Sequence, residues 1–220
     1  MKKVTLSEDE VKGNVGFISF NEDLTVSDFT VEDIEPEEQP EDVKGWKFTG
    51  NGSLDGENIR LSGEGDNIGI SDIEKKDNYS VKTTIKQGDG DGTVGVVLGT
   101  KSAKNPKEGA VVANVAPSSG KVRLFCFQGG LAGDMKAEKA YAELEGKDNY
   151  DFDISVKQRH LIVNINEEKV IDMEISDTSF EGNVGLIAFN EDMTASDFKP
   201  MKLEPKKHSS NTMLKPKKSF

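Results

Sequence analysis

The chain has 220 residues, 34% of them hydrophobic and 31% charged, with 22 glycines and a formal charge of −12. So acidic a protein repels nucleic acid and anionic membrane, and no apolar run approaches transmembrane length. The single cysteine, Cys126, excludes an intramolecular disulfide framework, and no Cys/His cluster points to zinc.

In chain order, Met1-Lys2-Lys3 is followed by Val4-Thr5-Leu6-Ser7-Glu8-Asp9, which lacks the apolar stretch of a signal peptide. As written the chain is expected to be cytoplasmic. Carried behind an upstream signal in a longer parent, it would be extracellular or at the cell surface. Next, Gly13-Asn14-Val15-Gly16-Phe17-Ile18-Ser19-Phe20-Asn21-Glu22-Asp23 returns almost unchanged as Gly182-Asn183-Val184-Gly185-Leu186-Ile187-Ala188-Phe189-Asn190-Glu191-Asp192. The register holds without a gap through Phe29 and Phe198. Repeats this far apart are spaced by a whole domain, so they read as the closing strands of two successive modules. Residues 1–34 are therefore expected to be the terminal strands of a preceding, similar module, with Val15–Phe20 and Ser27–Ile34 paired across Asn21-Glu22-Asp23. Residues 35–42 complete an acidic run, Glu32–Asp42, with seven acids and no base, the composition of an extended linker.

The complete module is expected over residues 43–203. Trp46 and Phe48 alternate in one short strand, Ile59 and Leu61 in another, and Ile68-Gly69-Ile70 follows. Tyr79, Val81, Thr83 and Ile85 recur at strict period two, as do Tyr150, Phe152, Ile154 and Val156. Gly88-Asp89-Gly90-Asp91-Gly92 reads as a turn, because Asp-Gly pairs tolerate positive φ. Val94–Leu98 is a continuous apolar run, as a central strand buried on both faces requires. Gly109–Val115 is expected to pair with Val122–Gln128 across Pro117-Ser118-Ser119-Gly120, and Leu161–Ile165 with Lys169–Ile175 around Asn166-Glu167-Glu168. Only Asp134–Leu144 carries a weak helical pattern. Short strands at regular intervals, polar turns and almost no helix predict an all-β fold, a two-sheet antiparallel jelly-roll sandwich. Residues 204–220 belong to a lysine-rich end, Lys199–Phe220, with seven lysines and one glutamate and the composition of a disordered tail.

Several of these segments occur in a recognisable order. Gly45-Trp46 leads to Tyr79–Lys86, then to Gly88–Leu98, Val112-Ala113-Asn114-Val115 and Val122–Phe127, and Gly182-Asn183-Val184-Gly185-Leu186 closes the set. This order resembles the concanavalin-like jelly roll of the family 66 carbohydrate-binding modules, which are appended to glycoside hydrolase family 32 levanases and related fructan-degrading enzymes. The resemblance covers about Val43 to Leu203. It implies a non-catalytic module that binds a terminal sugar, a fructoside or a related glycan, as a covalent part of a larger bacterial glycoside hydrolase. The arginine of the family pattern after the strand ending at Leu98 is Gly99 here, and its tryptophan-aspartate pair is Phe189-Asn190.

If the module binds sugar, amide and carboxylate groups on one open sheet and its rim are the expected contacts. Asn114, Gln128, Asn190, Glu191 and Asp192 are the candidates, with Lys101 as a further donor. Asp89 and Asp91 offer oxygens to a structural calcium ion, against the plainer reading of a hairpin turn; no other cofactor is expected. Trp46 is a sugar-stacking platform or part of the core. Cys126, between Phe125 and Phe127, reads as a buried small apolar residue, and His160 as a turn residue. The expected partner is a polysaccharide or oligosaccharide. A structural spacer in a multidomain surface protein is the alternative, and a glycan-active enzyme of the same sandwich class the third. Family 32 catalytic motifs, a Gly-x-Ser-x-Gly elbow and a phosphate loop do not occur in this chain.

Overall fold

The computed structural model describes residues 45–203 except 77, 129 and 130. The expected N-terminal strand pair, the acidic linker and the basic tail lie outside the described residues. The strands in chain order are β1 (Trp46–Thr49), β2 (Gly52–Asp55), β3 (Asn58–Leu61), β4 (Asp66–Lys75), β5 (Tyr79–Gln87), β6 (Thr93–Thr100) and β7 (Val111–Ala116). There follow β8 (Lys121–Gln128), β9 (Leu131–Ala140), β10 (Asn149–Lys157), β11 (His160–Ile165), β12 (Glu168–Glu174), β13 (Gly182–Phe189) and β14 (Met193–Lys202). They form two antiparallel sheets of seven, ordered β1-β4-β13-β6-β7-β8-β9 and β12-β11-β10-β5-β14-β3-β2. Two 3-10 turns, Pro117–Ser119 and Ala142–Leu144, are the only helical elements among the described residues. The all-β two-sheet sandwich expected from the alternation is the observed fold.

Period two decides which side chains meet. Tyr150, Phe152, Ile154 and Val156 of β10 are buried, while the intervening Asp151 and Asp153 face outward. With Tyr79, Val81 and Ile85 of β5 they oppose Val94, Val96 and Leu98 of β6, Val122 and Leu124 of β8, and Val184 and Leu186 of β13 in one core. Each such side chain contributes roughly 1.5–3 kcal/mol by leaving water. The buried tyrosines place their hydroxyls on carbonyls: Tyr79 donates to Phe180 O at 2.8 Å and Tyr141 to Ile165 O at 3.1 Å.

The first sheet is apolar on its other face too. Ile68, Ile70, Val97, Val112, Phe125, Phe127 and Ile187 form a second cluster there, with Ala103 of the β6–β7 connection packed against it. β6 therefore has both faces buried, as its unbroken apolar run requires.

Three local features depart from the sequence pattern or go beyond it. The repeated segment Gly182–Phe198 is divided between the layers, with β13 in the first sheet and β14 in the second. Asn190-Glu191-Asp192 therefore crosses from one layer to the other. The weak helical pattern at Asp134–Leu144 is mostly strand: β9 runs to Ala140, and two register shifts against β8 break its alternation. β2 is an additional edge strand whose short polar sequence gives little pattern.

Three other candidates have structural surroundings. Trp46 packs on the core and meets Phe198 edge-on at 4.9 Å between ring centroids. Cys126 is buried, its thiol is pushed up by that burial, and its Sγ lies 3.4 Å from Thr178 Oγ1. A thiol held in its neutral form is a poor nucleophile. His160 stands exposed on β11, its Nε2 2.6 Å from Asp172 Oδ1.

Candidate functional site

At one end of the first sheet, the layer-crossing residues bind glycine-containing turns. Asn190 Oδ1 accepts the Gly65 amide at 2.7 Å, and Asp192 Oδ1 accepts the Gly63 amide at 2.8 Å. Glu191 is only 4% exposed. Its carboxylate accepts from Gln87 Nε2 at 2.7 Å and from the amides of Gly90, Gly92 and Asp192 at 3.2, 3.2 and 3.0 Å. The Asp-Gly turn can close around this side chain because glycine leaves room. A Cβ at Gly92 would sit 2.3 Å from Phe189 O, and one at Gly90 2.9 Å from the Glu191 carboxylate oxygens. The β3–β4 and β5–β6 turns are thus locked to the β13–β14 crossing.

Beside this lock, on the outer face of the first sheet, lies a cavity of about 620 Å³. The sheet's register builds its floor. Ile187 pairs with Gly95, Gly95 with Asn114, and Asn114 with Arg123, so a row with no side chain at Gly95 crosses four strands. Thr93 and Phe189 stand on the turn side of this row, and Phe125 and Met135 on the other. Asp91 and Ser118 complete the rim at the strand ends. A pocket of several hundred cubic ångströms with an apolar lining and a few convergent polar groups has the dimensions of a small-molecule site.

The polar groups are unequal. Asn114 is 5% exposed, and its Nδ2 donates to Thr93 Oγ1 at 3.1 Å while its Oδ1 has no partner. Arg123 is fixed from two sides, Nε donating to Glu138 Oε2 at 3.0 Å and Nη2 to Ser119 Oγ at 3.3 Å. Lys107, from the β6–β7 connection, pairs with Asp66 and stands 5.7 Å above the Phe127 ring. Both basic groups are thus matched by a carboxylate.

Glu138 is held below the ordinary glutamate range by its hydrogen bond from Lys121 first and from Arg123 second. A depressed carboxylate pKa adds stability that is present above the unfolded value and lost as pH falls through the folded one. An NMR titration of the Glu138 carboxyl should therefore give a midpoint below that of a free glutamate, with Lys121→Met moving it back up. An unshifted midpoint in the unmodified chain would mean that the pair does not persist in solution.

The six expected site residues separate into three groups. Asn114 and Asn190 line the cavity. Glu191 and Asp192 sit behind its rim with their oxygens on the turn amides. Gln128, at the end of β8, and Lys101, after β6, are exposed and outside the cavity lining. Thr93, Arg123 and Phe189 also line the cavity and lie outside the six expected residues, although parity puts Arg123, Phe125 and Phe127 on one face of β8. Gly99 has a structural reason to lack a side chain: its φ is +66°, and a Cβ would lie 2.8 Å from the Phe180 backbone. Asp89 and Asp91 are exposed on their turn, and among the described residues no group of three His, Cys, Asp or Glu is arranged to hold a metal ion.

A sandwich of two seven-stranded sheets with such a face is a lectin-like fold, and its relatives agree. Residues 39–204 match the family described as 3-keto-alpha-glucoside-1,2-lyase-like domain, and the chain belongs to this family. Among solved structures it is similar to the family 66 carbohydrate-binding module from Bacillus subtilis, with TM-score 0.63 and 20% identity over 72% of this chain and 96% of that one. It is similar to the VIP36 exoplasmic/lumenal domain in its Ca²⁺/Man3GlcNAc-bound form, with TM-score 0.56 and 13% identity over 76% of this chain and 87% of that one. A putative glycosyl hydrolase from Parabacteroides distasonis matches with TM-score 0.52 and 14% identity over 74% and 90% of the two chains. No curated protein sequence matches the chain. At these identities the solved structures establish the fold, a carbohydrate-binding-module-like sandwich with lectin and glycosyl-hydrolase neighbours.

Proposed function

We propose that the chain binds the terminal unit of a glycan, a fructoside or a related sugar, in the cavity above β13, β6, β7 and β8, without cleaving it. The observation that carries this reading is the Asn114 amide, whose Oδ1 is unpartnered in a residue only 5% exposed that lines the cavity. An orphaned buried acceptor costs about 1–3 kcal/mol, which rotation of the amide toward a ligand hydroxyl in the cavity would recover. Asn190, Thr93 and Arg123 offer further hydrogen bonds around it, and Phe189, 44% exposed, offers an apolar wall to the C–H face of a sugar ring. Glu191 and Asp192 serve the site by holding its rim. So few contacts support a dissociation constant of roughly 10 μM to 1 mM. Such a module raises the effective concentration of an attached enzyme at its polymer. The proposed setting is a larger bacterial glycoside hydrolase acting outside the cell or at its surface.

Affinity electrophoresis against levan, inulin and other glycans, followed by titration calorimetry, tests the reading. Asn114→Ala is expected to weaken retention at least tenfold while leaving the thermal midpoint within a few degrees, since the side chain has one hydrogen bond to lose. Undiminished binding by Asn114→Ala would place the sugar elsewhere. Lack of retention by every glycan would leave the sandwich as a spacer between other domains.

Membership of the 3-keto-alpha-glucoside-1,2-lyase-like family favours a second reading, in which the same cavity performs chemistry. In a 3-keto glucoside the ketone acidifies the proton on C2, and removal of that proton by a carboxylate can expel the oxygen on C1. Asp66 and Asp91 are the carboxylates in the cavity lining, and Asp66 is engaged by Lys107. Asp91 is then the candidate base. Consumption of methyl 3-keto-α-glucoside with release of methanol, lost in Asp91→Asn, would establish this reading; a stable substrate would exclude it.

A further inference from the structure

We infer that the cavity binds most tightly a terminal uncharged sugar whose anomeric oxygen carries an apolar, preferably aromatic, group, and binds a bare sugar or an unsubstituted glycan end more weakly. This rests on the carbohydrate-binding reading and narrows the ligand of that same site.

The cavity has two ends. At one, Thr93 of β6, Asn114 of β7 and Asn190 just after β13 offer hydrogen bonds beside the ring of Phe189. At the other, Phe125 and Phe127 of β8 and Met135 of β9 form an apolar surface, bordered by Arg123 and Lys107, each held by a carboxylate. Phe125 is paired directly with Met135 across the ladder, and the two phenylalanines meet edge-to-face at 5.5 Å. Met135 is 51% exposed, although it borders a cavity and follows a buried apolar surface. Single exposed apolar residues need no explanation, but Met135 and Phe189 are two of the four large exposed hydrophobics among the described residues, and both line this one cavity. A thioether beside phenylalanine rings is a favourable surface for another aromatic ring and a poor one for hydroxyls.

Reach gives the same answer. β13 and β9, which carry Phe189 and Met135, are separated by β6, β7 and β8. Strand spacings of about 4.8 Å make that a span of up to roughly 19 Å. A single sugar ring covers little more than one spacing, so a ring hydrogen-bonded to Asn114 leaves the Phe125–Met135 side open. A substituent on that ring would fill it. Charge does not select the ligand, because Lys107 and Arg123 are matched by Asp66 and Glu138, and the net charge of −12 disfavours anionic sugars.

Titration calorimetry of the full chain with methyl and benzyl glycosides of fructose, glucose and mannose, and with benzyl alcohol, tests the inference. For the sugar that binds, the benzyl glycoside is expected to bind at least tenfold more tightly than the methyl glycoside. Met135→Ser, a change at a half-exposed position, should reduce that ratio at least threefold, through a larger loss for the benzyl than for the methyl glycoside. Equal affinities for the methyl and benzyl forms overturn the inference and leave sugar binding standing. Benzyl alcohol binding as tightly as the benzyl glycoside, or binding of none of these probes, overturns the inference and the sugar-binding reading together.

Discussion

Replacing Glu191 by alanine is expected to lower the thermal midpoint by roughly 6–20 °C, one of the largest losses any polar substitution in this chain should cause. The carboxylate is buried and accepts four hydrogen bonds, three of them from backbone amides of the 88–92 turn and the crossing itself. In Glu191→Ala, the Gly90 and Gly92 amides lose their acceptor at once, and Gln87, whose Oε1 is already unpartnered, keeps only its 3.4 Å bond from Nε2 to Gly90 O. Unsatisfied buried donors cost about 1–3 kcal/mol each, and partial relaxation of the turn into solvent brings the total to roughly 3–5 kcal/mol. For a domain of this size each kcal/mol is worth about 2–4 °C. Glu191→Gln retains an acceptor oxygen and should cost distinctly less. A midpoint for Glu191→Ala within about 3 °C of the unmodified chain would show that the turn does not depend on this side chain.

That residue also shows where sequence reading stops. Alternation in Tyr79–Ile85 and Tyr150–Val156 is enough to define strands, and the unbroken Val94–Leu98 run is enough to place β6 in the middle of a sheet. An acidic strand-end loop, by contrast, reads the same whether its oxygens face solvent, a sugar or the protein's own amides. The groups that settle the matter for Asn190-Glu191-Asp192 lie 99 to 129 residues earlier in the chain. Local pattern carries no information at that range. The repeat is silent in a related way, because contiguous sequence on either side of a turn does not show that the sandwich uses the turn to change layers. Arg123 is the opposite case. Val122, Leu124 and Cys126 alternate inward, so parity alone puts Arg123, Phe125 and Phe127 on the other face of β8, and an arginine between apolar neighbours on a sheet face was a legible signal for a site. β9 was not legible, since its two bulges against β8 destroy the period that would reveal it.

Gly185 should tolerate substitution least of all the glycines in the central strands. β13 has neighbours on both sides, β4 and β6, so neither edge is free to move into solvent. The register shifts between Asn183 and Gly185 against both partners. A Cβ built on Gly185 would lie 2.1 Å from Gly69 O and 2.9 Å from Ile70 Cα. Those atoms are backbone and cannot rotate away, so Gly185→Ala requires two central strands to separate and lengthens their shared hydrogen bonds. Overpacking in a core costs typically 1–3 kcal/mol and more where the backbone must shift. Gly185→Val, which adds two further methyl groups, is expected to lose more than about 10 °C of midpoint or to fail to fold. Gly56 supplies the control. Its φ is +63° and a Cβ there would have no neighbour within 4 Å, so Gly56→Ala should incur only the left-handed backbone penalty of about 1–2 kcal/mol. If Gly185→Ala and Gly56→Ala melt at the same temperature, the close approach of β13 and β4 is not what requires glycine at position 185.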